Sequence, residues 1–142
     1  MVIKPFSVAG LPEIFFGAGT RCELPRLVTR FGHKVILVTG ASSLAGSGMF
    51  QNITEDISAG GIEYFHLTVK GEPTPEFVDH TAEEFRKAGI NAVVSIGGGS
   101  VIDAGKAVSA MLTVQGTVTD FLEGVGTREH PGGKVPFIAV PT

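Results

Sequence analysis

The sequence predicts an α/β fold in which a parallel sheet carries helices on both faces, and three observations support this. Short apolar runs rich in valine and isoleucine recur at residues 34–39, 62–69, 92–96 and 135–140; bounded by glycine, such runs are strands. The stretches between them repeat their apolar residues at helical spacing. Glycines cluster at the joints, as short strand-to-helix turns require. Strands alternating with helices in this way make a parallel sheet covered on both sides.

In chain order, residues 6–9 and 13–16 are extended runs separated by Gly10-Leu11-Pro12, which predicts an opening β-hairpin closed by Gly17-Ala18-Gly19. From Thr20 a helix is expected, with Leu24, Leu27, Val28 and Phe31 inward and Gly32 as its cap. After the strand at 34–39 and the exit loop Gly40-Ala41-Ser42-Ser43, a second helix turns Met49, Phe50, Ile53 and Ile57 inward and ends at Gly60-Gly61. The strand at 62–69 leads through Gly71-Glu72-Pro73 to a third helix. Thr74 is placed as its N-cap and Pro75 at its first position. Phe77, Val78, Thr81, Phe85 and Ala88 form its buried stripe before Gly89.

The most informative stretch follows, at residues 91–106. The strand at 92–96 is broken by Gly97, Gly98 and Gly99, and from Ser100 a helical period places Val101, Ile102, Gly105, Val108, Met111 and Leu112 on one face. Residues without side chains let a ligand approach the backbone, and a helix N-terminus presents unpaired N–H groups and a positive dipole end. Such a place suits a phosphate or pyrophosphate. A tight turn with no ligand is the simpler alternative. Residues 113–134 are polar and glycine-rich, with one helical turn expected near 119–122. In sheets of this kind ligands lie outside the carboxyl ends of the strands; here those ends are Thr39-Gly40, residues 69–72, residues 97–100 and Pro141-Thr142.

At 142 residues the chain is expected to be one domain with a real core. A net charge of −3 with no basic block argues against nucleic acid or an anionic membrane as the main partner. The single Cys22 excludes an intrachain disulfide, and no apolar run approaches the roughly 18 residues of a membrane span, so a cytoplasmic protein is expected. His33, His66, His80 and His130 are scattered without metal-ligand spacing and read as surface or turn residues. No catalytic or metal-binding residue is therefore assigned.

Other glycine patterns fit a dinucleotide less well. Gly17-Ala18-Gly19 lacks a later glycine at Cys22, and Gly40 and Gly46 have five residues between them where the short-chain dehydrogenase loop has three. A P-loop is excluded because Ala107 follows Lys106 and Ser100 stands where its first glycine belongs.

The string Gly97-Gly98-Gly99-Ser100-Val101-Ile102-Asp103-Ala104-Gly105-Lys106-Ala107, followed by Ile138-Ala139-Val140-Pro141-Thr142, resembles the iron-containing (group III) alcohol dehydrogenases. Phe15-Phe16-Gly17-Ala18-Gly19 and Val38-Thr39 match as well, so the resemblance spans essentially the whole chain. It implies a Rossmann-like dinucleotide-binding domain over residues 1–142, without the family's C-terminal helical domain. In that family the absent domain holds Fe2+ or Zn2+ through one aspartate and three histidines and completes the alcohol or aldehyde site. The resemblance further implies that Gly97, Gly98, Gly99, Ser100 and Val101 bind the pyrophosphate of NAD or NADP, that Glu72 lies on a loop approaching the cofactor, and that Thr142 contacts the nucleotide. Gly40 stands where family members often carry a ribose-binding aspartate. Its lack of a carboxylate removes the repulsion that excludes a 2′-phosphate, so NADP becomes admissible. Asp103 either bonds the turn's own N–H groups or reaches the nicotinamide end, and Lys106 is its expected partner three residues on.

The resemblance thus implies the cofactor half of a dehydrogenase, inactive towards alcohol as it stands and associating as a homodimer through its N-terminal region. Two alternatives remain. One is an NAD-using lyase or cyclase of the dehydroquinate-synthase type, or a glycerol-dehydrogenase-like enzyme, on the same scaffold; the other is a fragment that only binds nucleotide or dimerises.

Overall fold

A computed structural model describes residues 10–41, 44 and 48–142. Four strands form one sheet: β1 (Lys34–Gly40), β2 (Glu63–Val69), β3 (Ala92–Gly97) and β4 (Phe137–Pro141). All pairings are parallel and the order is β2-β1-β3-β4. Alternation along each strand separates two cores. Val35 and Leu37 of β1, with Val94 and Ile96 of β3, face α1 (Leu24–Thr29) and α2 (Met49–Ala59) through Leu24, Val28, Ile53 and Ile57. Ile36, Val38 and Val93 point the other way, onto Val78, Ala82 and Phe85 of α3 (Pro75–Phe85) and Val101, Ala104 and Val108 of α4 (Gly99–Met111). β3 is buried along its whole length because it lies between two strands and under helices on both sides.

The topology places a crevice. From β1 the chain winds outward to β2, then returns to the other side of β1 to lay down β3. The winding direction therefore reverses between β1 and β3, and ligands of open α/β sheets bind where the strand order reverses. All four strands end on the same side of the sheet.

Several local expectations change. Residues 6–9, half of the expected hairpin, lie outside the described residues, as do Ser42 and Ser43. Glu13, Ile14, Phe15 and Phe16 are not a strand; Leu11, Ile14 and Phe16 are 85, 73 and 98% exposed, and Glu13 is tied to the body by a 2.7 Å ion pair with Arg30. The first helix opens as a 3-10 turn, Thr20–Glu23, and α1 ends at Thr29, so Phe31 falls out of helical phase and is exposed. In α4 the inward stripe passes through Ala104 and Ser109, leaving Ile102 half-buried. The polar stretch after α4 contains one 3-10 turn, Val118–Phe121, whose Val118 N–H donates to Asp79 Oδ1 at 2.6 Å.

Candidate functional site

β3 passes into α4 through Gly98 alone. Gly97 must be glycine: its φ is +157°, and a Cβ there would stand 2.9 Å from the Val101 side chain. Gly98 is the N-cap in extended geometry, φ −78° and ψ −172°, with no side chain to cap the helix. The first N–H groups of α4, at Gly99, Ser100 and Val101, lack intrahelical acceptors and lie at the carboxyl end of β3. A Cβ added to Gly98 or Gly99 would meet nothing within 4 Å. The surrounding protein therefore gives no steric reason for glycine at either position.

Those two glycines line a cleft of about 240 Å³ with Gly40, Ala41, Val69, Lys70, Gly71, Ser100 and Val101. It lies over the β1/β3 reversal. The fold thus joins Gly40 to the glycine turn across 57 positions of sequence, and Lys70 supplies the only charge among the described lining residues. Lys70 carries no motif in the sequence; only its place directly after β2 identifies it. Glu72 stands beside the cleft, its Oε1 accepting a 2.8 Å hydrogen bond from Ser100 Oγ. Thr142 is brought to the turn by β4, its N–H donating to the Gly97 carbonyl at 3.2 Å.

Asp103 is placed differently. Because α4 begins at Gly99, Asp103 falls in the second turn and not the first, away from the full dipole end. Its carboxylate is 3.6 Å from Lys106 Nζ, both side chains are mostly exposed, and it is not among the residues lining the cleft.

A larger hollow, about 520 Å³, is lined by residues around Phe121 and His130 on the connection from α4 to β4. Its two cationic or imidazole side chains, Arg128 and His130, are already engaged. Arg128 Nη1 donates to the Gln115 carbonyl at 2.9 Å and its guanidinium lies over the Phe121 ring, while His130 joins the Ala110 carbonyl and the Gly132 N–H. Topology and open backbone donors both favour the smaller cleft.

His66 is more than a surface residue. Its Nε2 shares a 2.8 Å hydrogen bond with Thr39 Oγ1, just below Gly40, and Phe50 packs against the ring at 4.4 Å. Desolvation lowers its pKa from the ordinary histidine value.

Strand order, glycine turn and helix N-terminus together define a Rossmann-like α/β domain of the dinucleotide-binding type. The sequence profile of the iron-containing alcohol dehydrogenases matches residues 12–142, and the chain belongs to that family. It is 30% identical to a probable NADH-dependent butanol dehydrogenase 1 of Bacillus subtilis over 132 residues, covering 92% of this chain and 33% of that protein. Identity is also 30% to sulfoacetaldehyde reductase of Bilophila wadsworthia, again over 92% of this chain and 33% of the relative. Among solved structures, NADH-dependent butanol dehydrogenase A from Thermotoga maritima superimposes with a TM-score of 0.86 at 28% identity, over 97% of this chain and 34% of that one. Sulfoacetaldehyde reductase from Bifidobacterium kashiwanohense in complex with NAD+ gives a TM-score of 0.72 at 29% identity, over 88 and 32% of the two chains. The chain spans about a third of the length of the relatives it matches.

The iron of the family description finds no fit here. Among the described residues no three His, Cys, Asp or Glu side chains are grouped to hold a metal ion, so no chemical step is assigned to one.

Proposed function

We propose that this chain binds NAD(H) at the β1/β3 crevice, as the cofactor-binding portion of an enzyme that transfers hydride between an alcohol and its aldehyde. One observation carries the reading: Gly98 and Gly99 are glycine where the protein itself leaves room for a side chain, and both face the crevice. A ligand lying on the backbone accounts for them, whereas a mere turn accounts only for Gly97. The N–H groups of Gly99, Ser100 and Val101 hold the pyrophosphate, and Lys70 adds a positive charge. Glu72 fixes Ser100, Gly40 lies towards the adenosine ribose, and Thr142 closes the turn from β4. Asp103 belongs to the set on the family resemblance alone.

When bound, the nicotinamide supplies the hydride acceptor or donor; the chain's own part is to hold and aim it. NAD is the favoured nucleotide because the matched relatives include NADH-dependent and NAD-dependent dehydrogenases, while Gly40 leaves NADP sterically and electrostatically admissible. Iron or zinc, the alcohol and the aldehyde enter this proposal through the family. The relatives are dehydrogenases and reductases, so no observation favours a lyase or cyclase. Association of two chains is proposed on the exposed Leu11, Ile14 and Phe16.

Calorimetric titration with NADH and NADPH tests the reading. Saturable binding, tighter for NADH, is expected; absence of binding to either nucleotide contradicts it.

A further inference from the structure

Among the described residues two buried side-chain atoms have no hydrogen-bond partner, Arg86 Nε and Ser95 Oγ. Ser95 is fully buried in the middle of β3. Its hydroxyl abuts Gly105 of α4: a Cβ on Gly105 would collide with Ser95 Oγ and stand 3.2 Å from Ser95 Cβ and 2.9 Å from the Phe137 ring of β4. α4 therefore lies closer to β3 and β4 than any residue with a side chain permits at that point. A buried hydroxyl without a partner is a cost to folding, and here it accompanies the closest approach of helix to sheet.

That contact bears on the crevice because the joint has no slack. Gly98 alone separates β3 from α4, and Val101 already rests on Gly97. Gly105 lies six residues from the start of α4, roughly 9 Å along a helix. Pushing the helix away from the sheet there moves its first turn, the bond from Ser100 to Glu72, and the N–H groups facing the cleft. We propose that Ser95 and Gly105 are positioning residues: as a pair they set the depth of α4 and thereby aim the N–H groups of Gly99, Ser100 and Val101 at the pyrophosphate. This rests on the nucleotide reading above.

The test uses the 142-residue chain with Gly105→Ala, Ser95→Ala and both together. Two quantities are read: NADH affinity by calorimetry, and the amide NMR signals of Gly98 to Val101 without nucleotide. Gly105→Ala should displace those signals and weaken NADH about tenfold, the worth of roughly one charge-assisted hydrogen bond. Ser95→Ala alone should change affinity by less than about twofold, and the double variant should bind NADH more tightly than Gly105→Ala alone, since removing Oγ relieves the collision with it and leaves the 2.9 Å approach to the Phe137 ring and the 3.2 Å approach to Ser95 Cβ. A folded Gly105→Ala protein with unchanged affinity and signals overturns the proposal, as does a double variant no better than the single. If Gly105→Ala does not fold, the double variant decides: folded, it supports the pairing; unfolded, it overturns it. If the original chain binds no NADH, the nucleotide reading has failed. The amide signals then test the pairing alone, displacement and recovery supporting it and their absence overturning it.

Discussion

A methyl group added to Gly97 would press on Val101 at 2.9 Å, whereas one added to Gly98 or Gly99 would meet no atom within 4 Å. The three glycines are indistinguishable in sequence. Only the path of the backbone separates the one that the turn demands from the two for which the protein gives no steric reason. Lys70 and His66 were hidden for a related reason: each owes its place to β2 lying beside β1, and no motif encodes that register. His66 has a directional consequence. Its folded-state pKa is below the unfolded value, so the unfolded chain binds more protons as pH falls below about 6.5. The contribution of neutral His66 is thus fully present above that pH and declines as pH drops through the folded pKa. Denaturation midpoints should fall between pH 7 and pH 5 by less in His66→Gln than in the original chain; equal pH slopes would show that His66 does not contribute.

The elements were largely legible, because apolar period and turn chemistry act over a few residues. Thr74 illustrates this. Read as an N-cap from Thr74-Pro75, it caps α3 with its Oγ1 accepting from the Phe77 N–H at 3.3 Å. Thr74→Ala should cost about 1 kcal/mol in urea denaturation, the usual worth of such a cap; no loss would mean that water or the loop replaces the bond. What sequence reading missed at this scale depended on partners distant in the chain. The exposed segment after Gly10 has no ladder partner among the described residues, and Ile102 lost its inward place because the stripe of α4 is set by contact with β3, β4 and α3. Asn91, at the edge of the central stretch, shows the same limit. Its Oδ1 accepts from the N–H groups of His33 and Lys34 at 3.1 and 3.0 Å, joining the starts of β1 and β3 under Gly32, and nothing local to Asn91 announces it.

At the scale of the whole molecule, the order β2-β1-β3-β4 brings the ends of β1, β2 and β3 into one crevice, with Thr142 after β4 bonded to Gly97 beside it. The same architecture leaves Leu11, Ile14 and Phe16 in solvent at one end. Burying them between two copies is the expected outcome, so light scattering should report a dimer that Phe16→Asp weakens; a monomer at high concentration contradicts the association. The central claim is that the glycine turn serves a ligand and not only the fold, and the variant that separates these is Gly98→Val. Its backbone lies in the extended region that valine favours, and its Cβ has open space. Thermal denaturation and NADH calorimetry on this one protein make the decisive measurement: a melting temperature close to that of the original chain together with abolished binding is predicted. NADH bound as tightly as by the original would contradict the account, because the nucleotide would then lie elsewhere.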